Sequence, residues 1–167
     1  ANLRTLARRT VAALTARGPL PSTLDVRADD SLFTGSGVSR GWRADWVPEE
    51  VRPVGAFARD DREVRNSTAD AAGYFARALR AQGVAATYRG EARAAASTTL
   101  ASYAGHTIGA AVSRALLVSD NDTAEMLFRQ VAVGRGEPAT WAGARRATSA
   151  ALRRLRIPLT NVRIIDG

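Results

Sequence analysis

Between residues 108 and 133 the chain carries two apolar helical patterns split by five consecutive polar residues, Ser119-Asp120-Asn121-Asp122-Thr123. That interruption constrains the fold more than any other feature. Ile108 to Val118 is apolar enough for a buried helix, and Ala124 to Val133 repeats apolar residues at helical spacing. Short polar side chains compete with the backbone for hydrogen bonds, so a cluster of them ends one helix and caps the next. The expected outcome is a helix, a polar corner and a second helix. Taken by itself, the Ser-Asp-Asn triplet is an ordinary helix cap.

Similar signals divide the rest of the chain. Asn2 caps a helix over Leu3 to Arg17, with Leu3, Leu6, Val11 and Leu14 at roughly helical spacing and Gly18 as its stop. Pro19 and Pro21 force an extended turn, and Thr23 to Ala28 then alternates as a short strand does. Ser31 to Glu50 is a long irregular stretch, and Trp42 and Trp46 are expected to pin it to the core. Val51 to Ala58 reads as a buried strand and Asp60 to Asn66 as a charged turn. Ser67 or Thr68 caps a helix running to about Gln82, Gly83 ends it, and Val84 to Tyr88 follows as a strand. Ala94 to Gly105 carries little pattern. A further helix covers roughly Thr140 to Arg156, with Arg145, Arg146, Arg153 and Arg154 on its outer side, until Pro158 breaks it. Val162 to Ile165 reads as a final strand. The whole is mixed α and β (α+β), with helices clustered in the second half.

Composition narrows the chemistry. A chain of 167 residues with 46% apolar content can build one ordinary core. No run of about eighteen apolar residues occurs, so no membrane span is expected. The chain begins Ala1-Asn2-Leu3-Arg4, without an initiator Met, which suggests that something upstream was removed or omitted. The net charge is +8 and every basic residue is Arg; Lys is absent. A basic balance favours anionic partners, or it is a solvated surface offset by other parts of a larger protein. Without Cys there is no disulfide, no thiolate metal site and no Cys nucleophile. His106 is the only His, which argues against a Ser-His-Asp hydrolase and against a transition-metal site. Gly35-Ser36-Gly37 has only the look of a flexible loop, and no Gly-rich loop leads into Lys-Ser/Thr, so nothing supports phosphate cradling. No cofactor and no metal are expected.

The flanks of the triplet change its meaning. Leu116-Leu117-Val118-Ser119-Asp120-Asn121-Asp122-Thr123-Ala124-Glu125-Met126-Leu127-Phe128-Arg129 resembles the block around the second active-site motif of the low-molecular-mass penicillin-binding proteins of peptidase family S13, the penicillin-binding protein 4 type. These are D-alanyl-D-alanine carboxypeptidases and endopeptidases. Further segments resemble that family in the same order: Asp29-Asp30-Ser31-Leu32-Phe33 followed by Gly41-Trp42, then Arg52 to Ala56, Gly136 to Trp141, and Ile164-Ile165-Asp166-Gly167. The resemblance implies the central part of a β-lactamase/transpeptidase-like fold, with an antiparallel sheet and a helical lobe. Residues 1–66 would be the sheet side with its long loop. Residues 67–167 would hold the remaining strands and the helical lobe, and the family's extra inserted domain is expected to be absent.

The resemblance also implies roles. Ser119 and Asn121 would be catalytic: the Ser119 hydroxyl would relay a proton to the departing D-Ala nitrogen, and the Asn121 amide would hold the substrate's peptide carbonyl. Asp120 is expected to point away and serve the turn. Asp29 and Phe33 are candidates for binding the amino end of the peptide's diaminopimelate side chain, since a carboxylate suits an ammonium and a ring adds cation–π attraction. The family also needs a Ser-x-x-Lys nucleophile motif and a Lys-Thr-Gly motif. With no Lys, neither can lie in this chain. The expected partners are peptidoglycan stem peptides, β-lactams and the remaining segments of a parent enzyme, at an extracytoplasmic location, with no nucleic acid. The isolated chain is expected to be inactive. The competing class is a basic module in which Arg145, Arg146, Arg153, Arg154 and Arg156 bind nucleic acid or an anionic wall polymer. A third is a non-catalytic fragment that completes a larger assembly.

Overall fold

The computed structural model describes residues 2–59, 62–95 and 97–167. Part of the expected charged turn, at residues 60 and 61, lies outside the described residues. Two compact units emerge, each drawn from separate stretches of chain.

The first unit comprises Ala1–Asp30, Phe57–Arg62 and Asn66–His106. It holds helix α1 (Leu3–Thr15), strand β1 (Leu24–Ala28), helix α2 (Ser67–Arg80) and strand β2 (Ala86–Glu91). Asn2 caps α1 through a bond from the Thr5 N–H at 3.0 Å. The cap of α2 is Asn66, one residue before the expected Ser67 or Thr68, and it accepts the Ala69 N–H at 2.7 Å. The core gathers Ala7, Val26, Ala76, Leu79, Val84 and Ala86, with Val11, Leu24, Phe75 and Tyr88 packed around them. Arg59 ties its own short segment to α2, with both Asp70 oxygens at 2.8 and 3.0 Å and its guanidinium over the Tyr74 ring at 4.3 Å.

The antiparallel sheet implied by the resemblance is not what forms. The sheet has two strands, and β1 and β2 run parallel, pairing Leu24 with Ala86 and Val26 with Tyr88. The connection explains the direction. A hairpin would reverse the chain, but here α2 precedes β2 and packs on both strands. A strand–helix–strand crossover returns the chain in its original direction. Between Val26 and Ala28 the register slips by one residue. The extra residue falls on β2, where Gly90 takes φ +93°, a conformation open to glycine.

The second unit comprises Ser31–Ala56, Glu63–Arg65 and Thr107–Gly167. Its elements are a 3₁₀ turn (Ala44–Trp46) and helices α3 (Ile108–Val118), α4 (Asn121–Gly134) and α5 (Trp141–Arg154). The core is Phe128, Ala132 and Ala144, closed by Trp141 and Ile164. Arg129 anchors the loops to it. The side chain is wholly buried, and it donates to the backbone carbonyls of Thr34 (2.9 Å), Ser36 (3.3 Å) and Ala139 (3.0 Å). Its guanidinium lies 5.1 Å from the Phe33 ring centre and 4.9 Å from that of Trp141. A buried cation is tolerated when carbonyl dipoles and π faces replace water in this way.

Three expectations give way here. Helix α3 forms over the expected residues but none of them is buried, and Leu116 and Leu117 are 82% and 84% exposed. Among the described helices and strands it packs only on α4, and one neighbour covers one side of a helix that is apolar nearly all round. Val51 to Ala58 forms no strand. Its N–H groups find separate acceptors instead: Val51 donates to the Trp46 carbonyl, Arg52 to the Asp122 carboxylate and Val54 to the Gly37 carbonyl. Val162 to Ile165 likewise forms no strand. A strand needs a partner edge, and neither segment has one.

Candidate functional site

The polar corner forms as a tight junction between α3 and α4. Ser119 closes α3 in the left-handed region at φ 54° and ψ 46°, and its hydroxyl-bearing residue is exposed. Asp120 is the N-cap of α4. Its carboxylate accepts the Thr123 N–H at 3.0 Å, the Thr123 hydroxyl at 2.8 Å and Arg114 Nε at 2.9 Å. Burial pushes Asp120 up, but the Thr123 donors and Arg114 outweigh it and hold the carboxyl below its usual range. Asn121 opens the helix, and its Nδ2 donates to the Glu50 carbonyl at 3.0 Å. Asp122 receives both the backbone N–H of Arg52 (2.8 Å) and its guanidinium (2.6 Å). Burial nevertheless raises the Asp122 carboxyl above its ordinary value.

Asn121 borders a pocket of about 360 Å³ lined by Trp42, Trp46, Glu50, Val51, Glu125, Asp166 and Gly167. Trp42 does pin the long loop, meeting the Trp141 ring edge to face at 5.4 Å, whereas Trp46 is 39% exposed and lines the pocket. Glu125 is 5% exposed and accepts Trp42 Nε1 at 3.3 Å and the Gly167 N–H at 2.8 Å. Burial, with a smaller push from Asp166, raises its carboxyl to about 7 against the pull of those two bonds.

The other site candidates fall elsewhere. Asp29 belongs to the first unit, where its carboxylate accepts the Ala94 N–H at 2.7 Å. Phe33 belongs to the second, half-buried beneath Arg129. Neither lines the pocket beside Asn121. His106 is exposed. Of the five arginines in the basic-module alternative, Arg146 pairs with Glu137 at 2.7 Å, Arg145 reaches the Ile165 carbonyl at 3.5 Å, and Arg153, Arg154 and Arg156 are exposed. Among the described residues no cluster of His, Cys, Asp or Glu could hold a metal ion, and no helix is long and apolar enough to cross a membrane.

The comparison with known families decides the lineage. The D-Ala-D-Ala carboxypeptidase 3 (S13) family matches residues 46–167. The chain belongs to that family. The S13 match takes in the Ser119–Asn121 corner, the whole of α4 and the pocket from Trp46 onward, while Asp29 and Phe33 lie before it. No curated protein and no solved structure matches the chain.

Sequence reasoning missed Glu125, Trp42's bond to it, and the buried role of Arg129. The signal for Glu125 was present in part: it sits four residues after Asn121, hence on the same helix face. A carboxylate one turn into a helix reads as a solvated side chain, and only the fold shows that it is buried.

Proposed function

We propose that this chain supplies one wall of the active site of an exported serine-type D-Ala-D-Ala carboxypeptidase, which trims peptidoglycan stem peptides through an acyl-enzyme and is acylated by β-lactams. The S13 membership supports the substrate class and the extracytoplasmic setting. The observation that carries the mechanism is the corner itself: an exposed Ser119 held in a left-handed conformation, two residues before an Asn121 that borders a pocket. Strained backbone kept at an exposed polar residue is a frequent mark of a working site.

The chemistry follows from donor capacity. In acyl transfer, a serine outside this chain attacks the carbonyl of the penultimate D-Ala, and the C–N bond to the terminal D-Ala breaks. The departing nitrogen needs a proton, which the Ser119 hydroxyl relays. Asn121 Nδ2 carries two hydrogens. One is given to the Glu50 carbonyl, which orients the amide, and the second can be donated to the substrate's carbonyl. Glu50 and Trp46 in the same pocket offer a carboxylate and a ring to an ammonium group of the peptide, the chemistry first expected of Asp29 and Phe33.

The nucleophile and the Lys-Thr-Gly wall would come from other segments of a longer protein. The exposed apolar side of α3, next to Ser119, supports such a covering. The short stretch between Phe33 and Ser119 supports the absence of the extra inserted domain. The test is release of D-Ala from a peptide ending in D-Ala-D-Ala by the longer protein. Ser119→Ala should lower turnover by about 10²- to 10⁴-fold, as loss of a positioned proton-transfer group does. Turnover unchanged by that substitution would remove Ser119 from the mechanism.

A further inference from the structure

Glu125 lies one helical turn past Asn121 on α4, so the two side chains share a face and a pocket. Its two oxygens divide their partners: Oε1 takes the Trp42 indole N–H at 3.3 Å and Oε2 takes the Gly167 backbone N–H at 2.8 Å. Three parts of the pocket wall therefore meet at one buried carboxyl: α4, the loop carrying Trp42, and the segment through Asp166 and Gly167. Both partners are donors only. An ionised carboxylate can satisfy both, whereas a protonated one turns one oxygen into a hydroxyl and weakens one of the bonds.

We propose that Glu125 is a positioning residue for Asn121: ionised, it holds the Trp42 indole and the Gly167 backbone in place around the Asn121 amide, and protonation loosens that wall. This extends the peptidase assignment to its pH response and rests on it for any catalytic consequence. Burial, and then the neighbouring Asp166, bring the change near neutrality, at about 7. Glu50 lines the same pocket, Asp122 on α4 is paired with Arg52, Arg129 on α4 is turned to the carbonyls of Thr34, Ser36 and Ala139, and Arg145 of α5 reaches the Ile165 carbonyl.

The test is a pH titration of the 167-residue chain followed by proton–nitrogen NMR. The Trp42 indole N–H, the Gly167 amide and the Asn121 side-chain amide should shift together, with one midpoint near 7. Glu125→Gln should remove the step at all three, because its amide cannot titrate. Glu125→Asp keeps a titrating carboxyl on a shorter arm and should retain a step of reduced size. Flat signals in the unaltered chain, or a step that survives in Glu125→Gln, would overturn the proposal. So would Trp42 and Gly167 titrating while Asn121 stays still, which would leave Glu125 with a structural role only. The titration needs no turnover, so its failure and a failure of the peptidase assignment are read separately.

Discussion

Ser119 ends α3 at φ 54°, a region where a residue with a Cβ is strained by about 1 kcal/mol relative to glycine. Ser119→Gly is expected to stabilise the chain by about that amount in urea denaturation, while removing the hydroxyl to which the proposal assigns proton relay. A loss of stability would mean that the hydroxyl itself holds the corner. Glu125 makes the opposite kind of demand. Its carboxyl rises from an ordinary 4.5 to about 7 in the fold, so the folded chain binds the proton more tightly than the unfolded chain. The stability this contributes is fully present below about 4.5 and is lost as pH rises through about 7, amounting to on the order of 3 kcal/mol. The urea midpoint of the unaltered chain should therefore fall relative to that of Glu125→Gln as pH rises between those limits. A constant difference would show that Glu125 does not carry the linkage. Asp120 was legible as a turn-serving residue because two of its donors lie on Thr123, three residues on. Glu125 was not, because its partners are Trp42, 83 residues away, and Gly167, 42 residues away.

Helices α3 and α4 are joined by caps that a local pattern could reveal. Asp120→Ala removes three accepted hydrogen bonds at the start of α4 and should cost about 1–2 kcal/mol, measured by denaturant unfolding. An unchanged midpoint would mean that the corner is held by α4 packing alone. Gly143, in the first turn of α5, supplies a sharper case. Alanine usually stabilises an exposed helix by about 1 kcal/mol over glycine, but here a Cβ would collide with the Pro138 backbone carbonyl. Gly143→Ala should destabilise the chain by about 1–3 kcal/mol, as forced overpacking does. Stabilisation would contradict that packing. The helices were readable because periodicity and capping act within one turn. Strand direction and strand existence were not, since each depends on a distant edge: β2 runs parallel to β1 because α2 intervenes, and Val51 to Ala58 finds side chains and loop carbonyls where a strand would need a ladder. The exposure of α3 had the same source. Its apolar sequence promised burial, but only the fold shows that, among the described helices and strands, α4 alone packs on it.

For the molecule as a whole, the absence of Lys is the most consequential fact about its chemistry. The Ser-x-x-Lys and Lys-Thr-Gly motifs that the proposed mechanism uses each carry a lysine, and this chain holds none, so on that proposal Ser119 and Asn121 assist a nucleophile that lies elsewhere. Family membership was legible from the ordered blocks around the Ser-Asp-Asn triplet, while the pocket that gives Asn121 a setting required Trp42, Trp46 and Glu50 to be brought to α4 by the fold. The most direct measurement is labelling of the longer protein with a reporter penicillin, followed by mass mapping of the modified serine. One adduct is expected, on a serine of a Ser-x-x-Lys motif outside these 167 residues, with Ser119→Ala slowing its formation or turnover, and no adduct on the isolated chain. An adduct on any serine of this chain, or a longer protein with an intact Ser-x-x-Lys motif that is never labelled, would contradict it.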